Sequence, residues 1–412
     1  MLPRNYLLGL IFILLSTTEG EAQLGFTLAN GAKQVEIPIE IYNNLVVVPV
    51  IINNQLPLKF IIDTGVRTTI LTEKIYSDVL RVSYSKKFTI SAPGGKNSVN
   101  AFITNNVTID LPGVQGRGLA MMVLENDFLE LKSSLGAEVH GILGYELFSR
   151  FVIKIDYQAK KLTLMIPQKF KPTRKYVRIP IIVEDTKPYC IAELKINDSS
   201  SISAKLMIDT GASHGLFLDT ESNSKIMVPF KNFDCILGKG LGGVIEGHLA
   251  RINLLQLGKR SMSGVITSFP SRNSYYDTIK FMRSIYRNGS IGGEVLSRFD
   301  VVFDFPNEKM YLKPNSSFRK KFYYNMSGLS VKATGQRLNE FEISEVRKGS
   351  PGFLAGIVAG DKILKINDNL TEDMRLGEVE GYFNSKPGKK ITLELKRDSE
   401  ILTKEFRIVN EL

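Results

Sequence analysis

The sequence predicts a mostly β protein made of two similar lobes with a small α+β module behind them. Three observations carry that prediction. The tripeptide Asp-Thr-Gly occurs twice, at Asp63-Thr64-Gly65 and Asp209-Thr210-Gly211, each time closing an apolar run, Phe60-Ile61-Ile62 and Leu206-Met207-Ile208. A longer motif, Gly141-Ile-Leu-Gly-Tyr-Glu-Leu-Phe-Ser-Arg-Phe151, recurs at nearly the same offset as Gly289-Ser-Ile-Gly-Gly-Glu-Val-Leu-Ser-Arg-Phe299. From about residue 322 onward the patterning changes character. A repeat of about 147 residues is far longer than solenoid units of about 20–50, so it denotes two homologous lobes.

The elements follow in order. Strands are expected over 45–52, 58–62, 107–111, 151–155 and 161–165, separated by Asn-Asn, Pro-Gly and similar breaks. The second lobe repeats them over 190–196, 205–208, 251–257, 301–303 and 310–312. A short helix is expected after each Gly-x-Glu, over 146–151 and 294–299, where apolar residues gather on one side. Residues 166–176, rich in Lys, Pro and Arg, connect the lobes. In the third region Ser350 caps a helix that Pro351 begins and Gly356 ends. An alternating strand over 362–367, a helix over 376–383 and a hairpin of 391–395 with 401–407 complete it. The expected segments are therefore 1–22, a leader; 35–168 and 177–315, the lobes; and 322–412, the module.

Size and composition narrow the function. A chain of 412 residues with 43% hydrophobic content can give each lobe its own core. Residues 1–22 read as a secretory signal: Arg4, an apolar stretch from Tyr6 to Leu15, then Gly20-Glu21-Ala22. That stretch is short for a membrane span, and no other candidate occurs. An exported, periplasmic or secreted protein is expected. The net charge of +11 is spread through all segments and reads as a solvated basic surface, with a preference for acidic partners as the alternative. No zinc-type cluster and no aromatic-basic nucleic-acid motif is found. Cys190 and Cys235 suit either a disulfide or two separate buried thiols.

Paired carboxylates point to hydrolysis. Held a few ångströms apart, two carboxylates cannot both ionise, so they share one proton. The ionised partner takes a proton from water while the protonated one donates to a carbonyl oxygen. Asp63 and Asp209 are the candidates, and fixed roles are not assigned within a pair that titrates together. Gly65 and Gly211 permit close backbone approach, and Thr64 and Thr210 can hydrogen-bond across the lobe interface. His214, in a chain with no serine or cysteine nucleophile motif, is expected to be a structural or surface residue.

On these residues the chain resembles the bilobed aspartic protease clan. Asp63-Thr64-Gly65 and Asp209-Thr210-Gly211 look like its catalytic signatures. Ile142-Leu143-Gly144 and Ser290-Ile291-Gly292 look like the strand that threads behind each catalytic loop. The resemblance covers about residues 35–315 and implies two β-barrel lobes flanking a cleft, one aspartate from each. Where pepsin-like members place Ser or Thr after Asp-Thr-Gly, this chain has Val66 and Ala212. Neither can donate to an anion, so activity nearer neutral pH is expected. Arg67 is expected to point away from the site. The resemblance also implies flaps at the Gly-rich tips, with Gly94, Gly95, Gly242 and Gly243 as substrate-binding positions.

Residues 322–412 resemble a PDZ domain of the kind appended to bacterial proteases, on Gly349-Ser350-Pro351, Ala355-Gly356 and Ala359-Gly360-Asp361 with the strand after it. Ser327, Gly328, Leu329 and Ser330 fall at the family's peptide-binding loop, although that loop departs from the usual Gly-Leu-Gly-Phe form. The resemblance implies an edge-strand peptide site that captures a C-terminal carboxylate. The expectation is an exported aspartic endopeptidase acting on peptide or unfolded protein, monomeric, without metal or organic cofactor and without nucleic-acid partners. The rival is a non-catalytic peptide-binding scaffold with the PDZ domain as its docking site.

Overall fold

The computed structural model describes residues 24–91, 98–240, 243–271 and 285–412. The leader expected over 1–22 and the loop glycines Gly94, Gly95 and Gly242 lie outside the described residues.

Among the described residues the strands form four sheets. The first lobe builds its nine-stranded sheet around Leu45–Ile52 and Leu56–Ile62. Leu45–Ile52 alternates buried and exposed side chains after Val48, as a half-buried strand must. Asn53 and Asn54, at φ 50° and 55°, turn the chain back onto itself, a conformation Asn tolerates better than most residues. The second lobe repeats the plan in an eight-stranded sheet around Lys187–Lys195 and Ser201–Ile208.

The third sheet belongs to both lobes. Its order runs Val177–Pro180, Lys309–Pro314, Phe299–Asp304, Val152–Asp156, Lys161–Met165 and Gln34–Pro38. At its centre Ile153 faces Phe303 and Ile155 faces Val301, so equivalent strands of the two repeats pair antiparallel. Phe148, Phe303 and Phe305 pack beneath them, with ring centroids 5.2–6.1 Å apart. The connecting residues Phe170 and Tyr176 cover Val152, Val302 and Tyr311 on the opposite side.

The fourth sheet, Leu329–Thr334, Glu340–Val346, Lys362–Ile366, Lys390–Arg397 and Glu400–Arg407, forms the C-terminal module with the helix Leu376–Phe383. Ser350 Oγ accepts from Phe353 N–H at 3.3 Å and caps the short helix Pro351–Leu354. Asp361 is buried in a turn, where Arg397 donates to both of its oxygens at 2.7 and 2.8 Å.

The helices after each Gly-x-Glu are shorter than expected. They span Tyr145–Phe148 and Gly293–Leu296, because Arg150 and Arg298 turn out of the helix to let Val152–Asp156 and Phe299–Asp304 join the shared sheet. Cys190 and Cys235 are free thiols, each pushed up to about 12 by burial.

A shared sheet couples the lobes. Phe303→Ala is expected to cost about 3–5 kcal/mol. Calorimetry should show both lobes melting earlier in one transition; two separated transitions would contradict the coupling.

Candidate active site

Both Asp-Thr-Gly turns are set by the same local device. Phe60–Ile62 runs parallel to Gly141–Leu143, and Leu206–Ile208 runs parallel to Gly289–Ile291. Just past these pairings the Asp63 N–H donates to Leu143 O and the Asp209 N–H to Ile291 O, each at 2.9 Å. One step beyond, the turns bind each other. The Thr64 N–H donates to Thr210 Oγ1 at 3.1 Å, and the Thr210 N–H donates to Thr64 Oγ1 at 3.0 Å. Thr64 Oγ1 then donates to Ile208 O at 2.6 Å and Thr210 Oγ1 to Ile62 O at 2.9 Å. All four bonds cross between lobes, and both threonines are buried.

The carboxyl groups converge as a result. Gly65 N–H donates to Asp63 Oδ1 at 2.6 Å and Gly211 N–H to Asp209 Oδ1 at 3.1 Å. A methyl on Gly65 would lie 3.1 Å from Asp63 Oδ1 and 3.4 Å from Asp209 Oδ1. On Gly211 it would fall 2.2 Å from the Asp63 carboxyl carbon, so only glycine fits. Both carboxyl groups therefore border the same point beside Gly65, and each bears on the other's ionisation.

Their electrostatics are unequal. Burial pushes Asp63 well above the usual carboxylate range, the neighbouring Asp209 adds to the rise, and the Gly65 and Gly211 amides oppose it. Burial raises Asp209 as well, but Arg287, the Gly211 amide, Asp63 and Lys187 pull it down. Two like charges in one dry site therefore favour a shared proton. Among the described residues no His, Cys, Asp and Glu cluster could hold a metal ion.

Around the pair, Val66 and Ala212 supply only backbone carbonyls, which accept from Tyr145 N–H at 2.9 Å and Gly293 N–H at 2.7 Å. Arg67 points away and pairs with Asp185 of the second lobe. Asn44 of the first lobe reaches the equivalent place, donating to Ser213 O at 3.5 Å and accepting from Ser297 Oγ at 3.2 Å. His214 contacts Ser290 Oγ through Nε2 at 3.1 Å, and burial holds it down at about 4, so it stays neutral around pH 7.

Sequence reasoning did not single out Arg287, Asn44 or Asp185. The signal for Arg287 was a mismatch between copies, since the corresponding position before Gly141 is the apolar Val139. Asn44 and Asp185 sit in equivalent two-residue hairpins, 43–44 and 185–186, all at positive φ.

The loop positions divide. The hairpin of Asn232–Gly240 with Gly243–Leu257 places Gly243 opposite Gly240, and Lys239 pairs with Glu130 of the first lobe at 2.8 Å. In the C-terminal module, the Ser327 and Gly328 amides donate to Asn325 Oδ1 at 3.1 and 3.2 Å, and the Leu329 amide donates to Ser327 Oγ at 3.1 Å. Ser330 is exposed, with its hydroxyl 3.3 Å from Glu345 Oε2.

Two parts of the chain match known families. A family model described as an aspartyl protease matches residues 48–147, which include Asp63-Thr64-Gly65 and the strand behind it. A second, described as a PDZ domain, matches residues 342–397. The carboxy-terminal processing protease CtpA of Bacillus subtilis is 26% identical over 143 residues, which are 34% of this chain and 30% of the relative. The match thus spans less than a third of that relative's length. The chain carries an aspartyl protease domain and a PDZ domain in one mostly β polypeptide.

Two outcomes test the site's energetics. Thr210→Val keeps the shape but strips partners from buried groups across the interface, which costs about 1–3 kcal/mol and should lower the melting temperature. Asp63→Asn should have the opposite effect at alkaline pH. Because the folded chain holds the Asp63 proton more tightly than the unfolded chain, the stability linked to it is full at acid pH and lost as pH rises. The variant's melting temperature should exceed the native one at pH 8 and converge with it near pH 4.

Proposed function

We propose that this chain is an aspartic endopeptidase in which Asp63 and Asp209 share one proton and activate a water molecule for attack on a peptide carbonyl. The observation that carries this reading is the convergence of both carboxyl groups beside Gly65, held by the reciprocal Thr64 and Thr210 bonds. The ionised carboxylate accepts the proton of the attacking water, and the protonated one donates to the developing oxyanion. Asp63, the more deeply buried, and Asp209, nearer Arg287 and Lys187, form an unequal pair suited to holding opposite charge states.

One polypeptide supplies both aspartates, so the active form is a monomer. The lobes are residues 35–168 and 177–315, followed by the PDZ domain over 322–412. The chain is exported by its first 22 residues, and its substrates are peptides or unfolded proteins that can enter a cleft as extended strands. No helix among the described residues is long and apolar enough to cross a membrane.

Asp63→Asn and Asp209→Asn should each reduce cleavage of a mixed unstructured peptide library by at least about a thousandfold, with the fold retained by circular dichroism. Native-like turnover in either variant overturns the proposal. The pH–rate profile should be bell-shaped and extend toward neutrality, since burial raises both groups and no hydroxyl at Val66 or Ala212 stabilises the anion. Arg287→Gln removes a charge that favours ionised Asp209, so the acid limb should move to higher pH. A limb that stays in place, or moves to lower pH, counts against Arg287 tuning the pair.

A further inference from the structure

The PDZ domain's peptide groove lies between the strand Leu329–Thr334 and the helix Leu376–Phe383. That strand pairs with Glu340–Val346 on one side, and its other edge carries no strand pairing among the described residues. The edge is nevertheless covered. The short first-lobe helix Leu131–Leu135 packs against Leu329–Thr334. Gly136, at φ 59°, sits between Ala333 of the strand and Leu376 of the helix, so close that a Cβ would lie 2.6 Å from Leu376 Cβ and 3.5 Å from Ala333 Cβ. Arg375, at the helix start, stands close enough to Glu40 and Tyr42 of the first lobe to bear on their ionisation.

The carboxylate end of the groove is also taken. The three amides that would receive a free C-terminus, those of Ser327, Gly328 and Leu329, already donate to Asn325 Oδ1 and Ser327 Oγ. Asn325 does from within what a ligand carboxylate does from outside in such loops.

The segment filling the groove leads to the paired aspartates. Leu135 and Ala137 pack with Leu45, Val47 and Ile61, and Ile61 is two residues before Asp63. At the other end of the segment, Glu130 holds Lys239 of the second-lobe hairpin arm. Phe128 and Leu129 pack against the buried cluster of Val99, Ala101 and Leu124, which Phe88 and Ile90 of the first-lobe hairpin also cover. Lys132 Nζ anchors the segment at Glu73 Oε1, 3.0 Å away.

We propose that the PDZ groove is an internal receptor filled by residues 131–137, and that its external ligand is a peptide segment that mimics 131–137 and is recognised without a free C-terminus. Such a ligand displaces 131–137 and loosens the Glu130–Lys239 bridge, which frees the arm Asn232–Gly240. The effect on cleavage rests on the protease reading above; the groove contact and its coupling to the arm do not.

The test uses the full chain and two readouts that need no activity. The first is binding of a fluorescein-labelled peptide of the chain's own residues 130–139, prepared with an amidated and with a free C-terminus. A groove that is already occupied lowers apparent affinity by the fraction of molecules in which it is open. Gly136→Leu, which wedges the contact apart, should therefore tighten binding about tenfold or more, with the two peptide forms alike. Unchanged binding in Gly136→Leu, or a free-acid form bound about tenfold tighter than the amide, overturns the proposal.

The second readout is hydrogen exchange. Gly136→Leu should speed exchange over 131–137, 329–334 and 232–240, whereas Lys239→Gln should speed it over 232–240 alone. An arm unmoved by Gly136→Leu rules out the coupling. If that variant fails to fold, Leu376→Ala relaxes the same contact from the PDZ side and carries the same expectations. Faster turnover of a short fluorogenic peptide in Gly136→Leu should accompany these changes. If turnover is absent from the native chain while binding and exchange behave as stated, the protease reading fails and the groove proposal stands.

Discussion

Two threonine hydroxyls hold the arrangement together. Each is bound to the backbone of the opposite lobe, so neither Asp-Thr-Gly turn is complete without the other. Burial makes this interlock costly to break, because any gap leaves amides and carbonyls unpaired away from water. The position of both aspartates follows from it. So does their altered acidity, since carboxyl groups in separate, wetter lobes would feel neither burial nor each other.

The interlock is supported from beneath and from the flanks. Beneath lies the six-stranded sheet, in which equivalent strands of the two repeats meet across an approximate two-fold relation. On the flanks, one hairpin from each lobe reaches over to the loop that follows the other's aspartate, Asn44 to Ser213 and Asp185 to Arg67. The symmetry extends to pairs the sequence hides. Lys59 with Glu40 and Lys205 with Glu184 occupy matching places, as do His140 and Asn288, whose side chains each accept from the adjacent lysine amide.

Much of this was legible in the sequence because it depends on local rules repeated twice. Asp-Thr-Gly after an apolar run and the apolar-apolar-Gly strand are short motifs with fixed backbone roles, and duplication made them specific. The helix Leu376–Phe383 and the Ser350 cap were legible from local rules as well, without a second copy to support them. What could not be read depends on distant chain segments meeting. Arg287 acts on Asp209 only once the strand carrying Gly289 threads behind the turn. The short helices ended early because pairing in the shared sheet outweighed helical periodicity. No spacing rule announced that 131–137 would reach the PDZ domain, since nothing in Leu131–Gly136 looks like a ligand.

The covalent connection over 166–176 has a kinetic consequence. Where two separate chains each contribute one half of such a site, mass action separates them as concentration falls. Here the tether runs along the shared sheet, with Phe170 and Tyr176 packed into it. The second half therefore sees the first at an effective concentration of at least the millimolar order expected of short linkers. A molecule diluted into a large volume keeps its halves matched, at whatever scarcity it reaches.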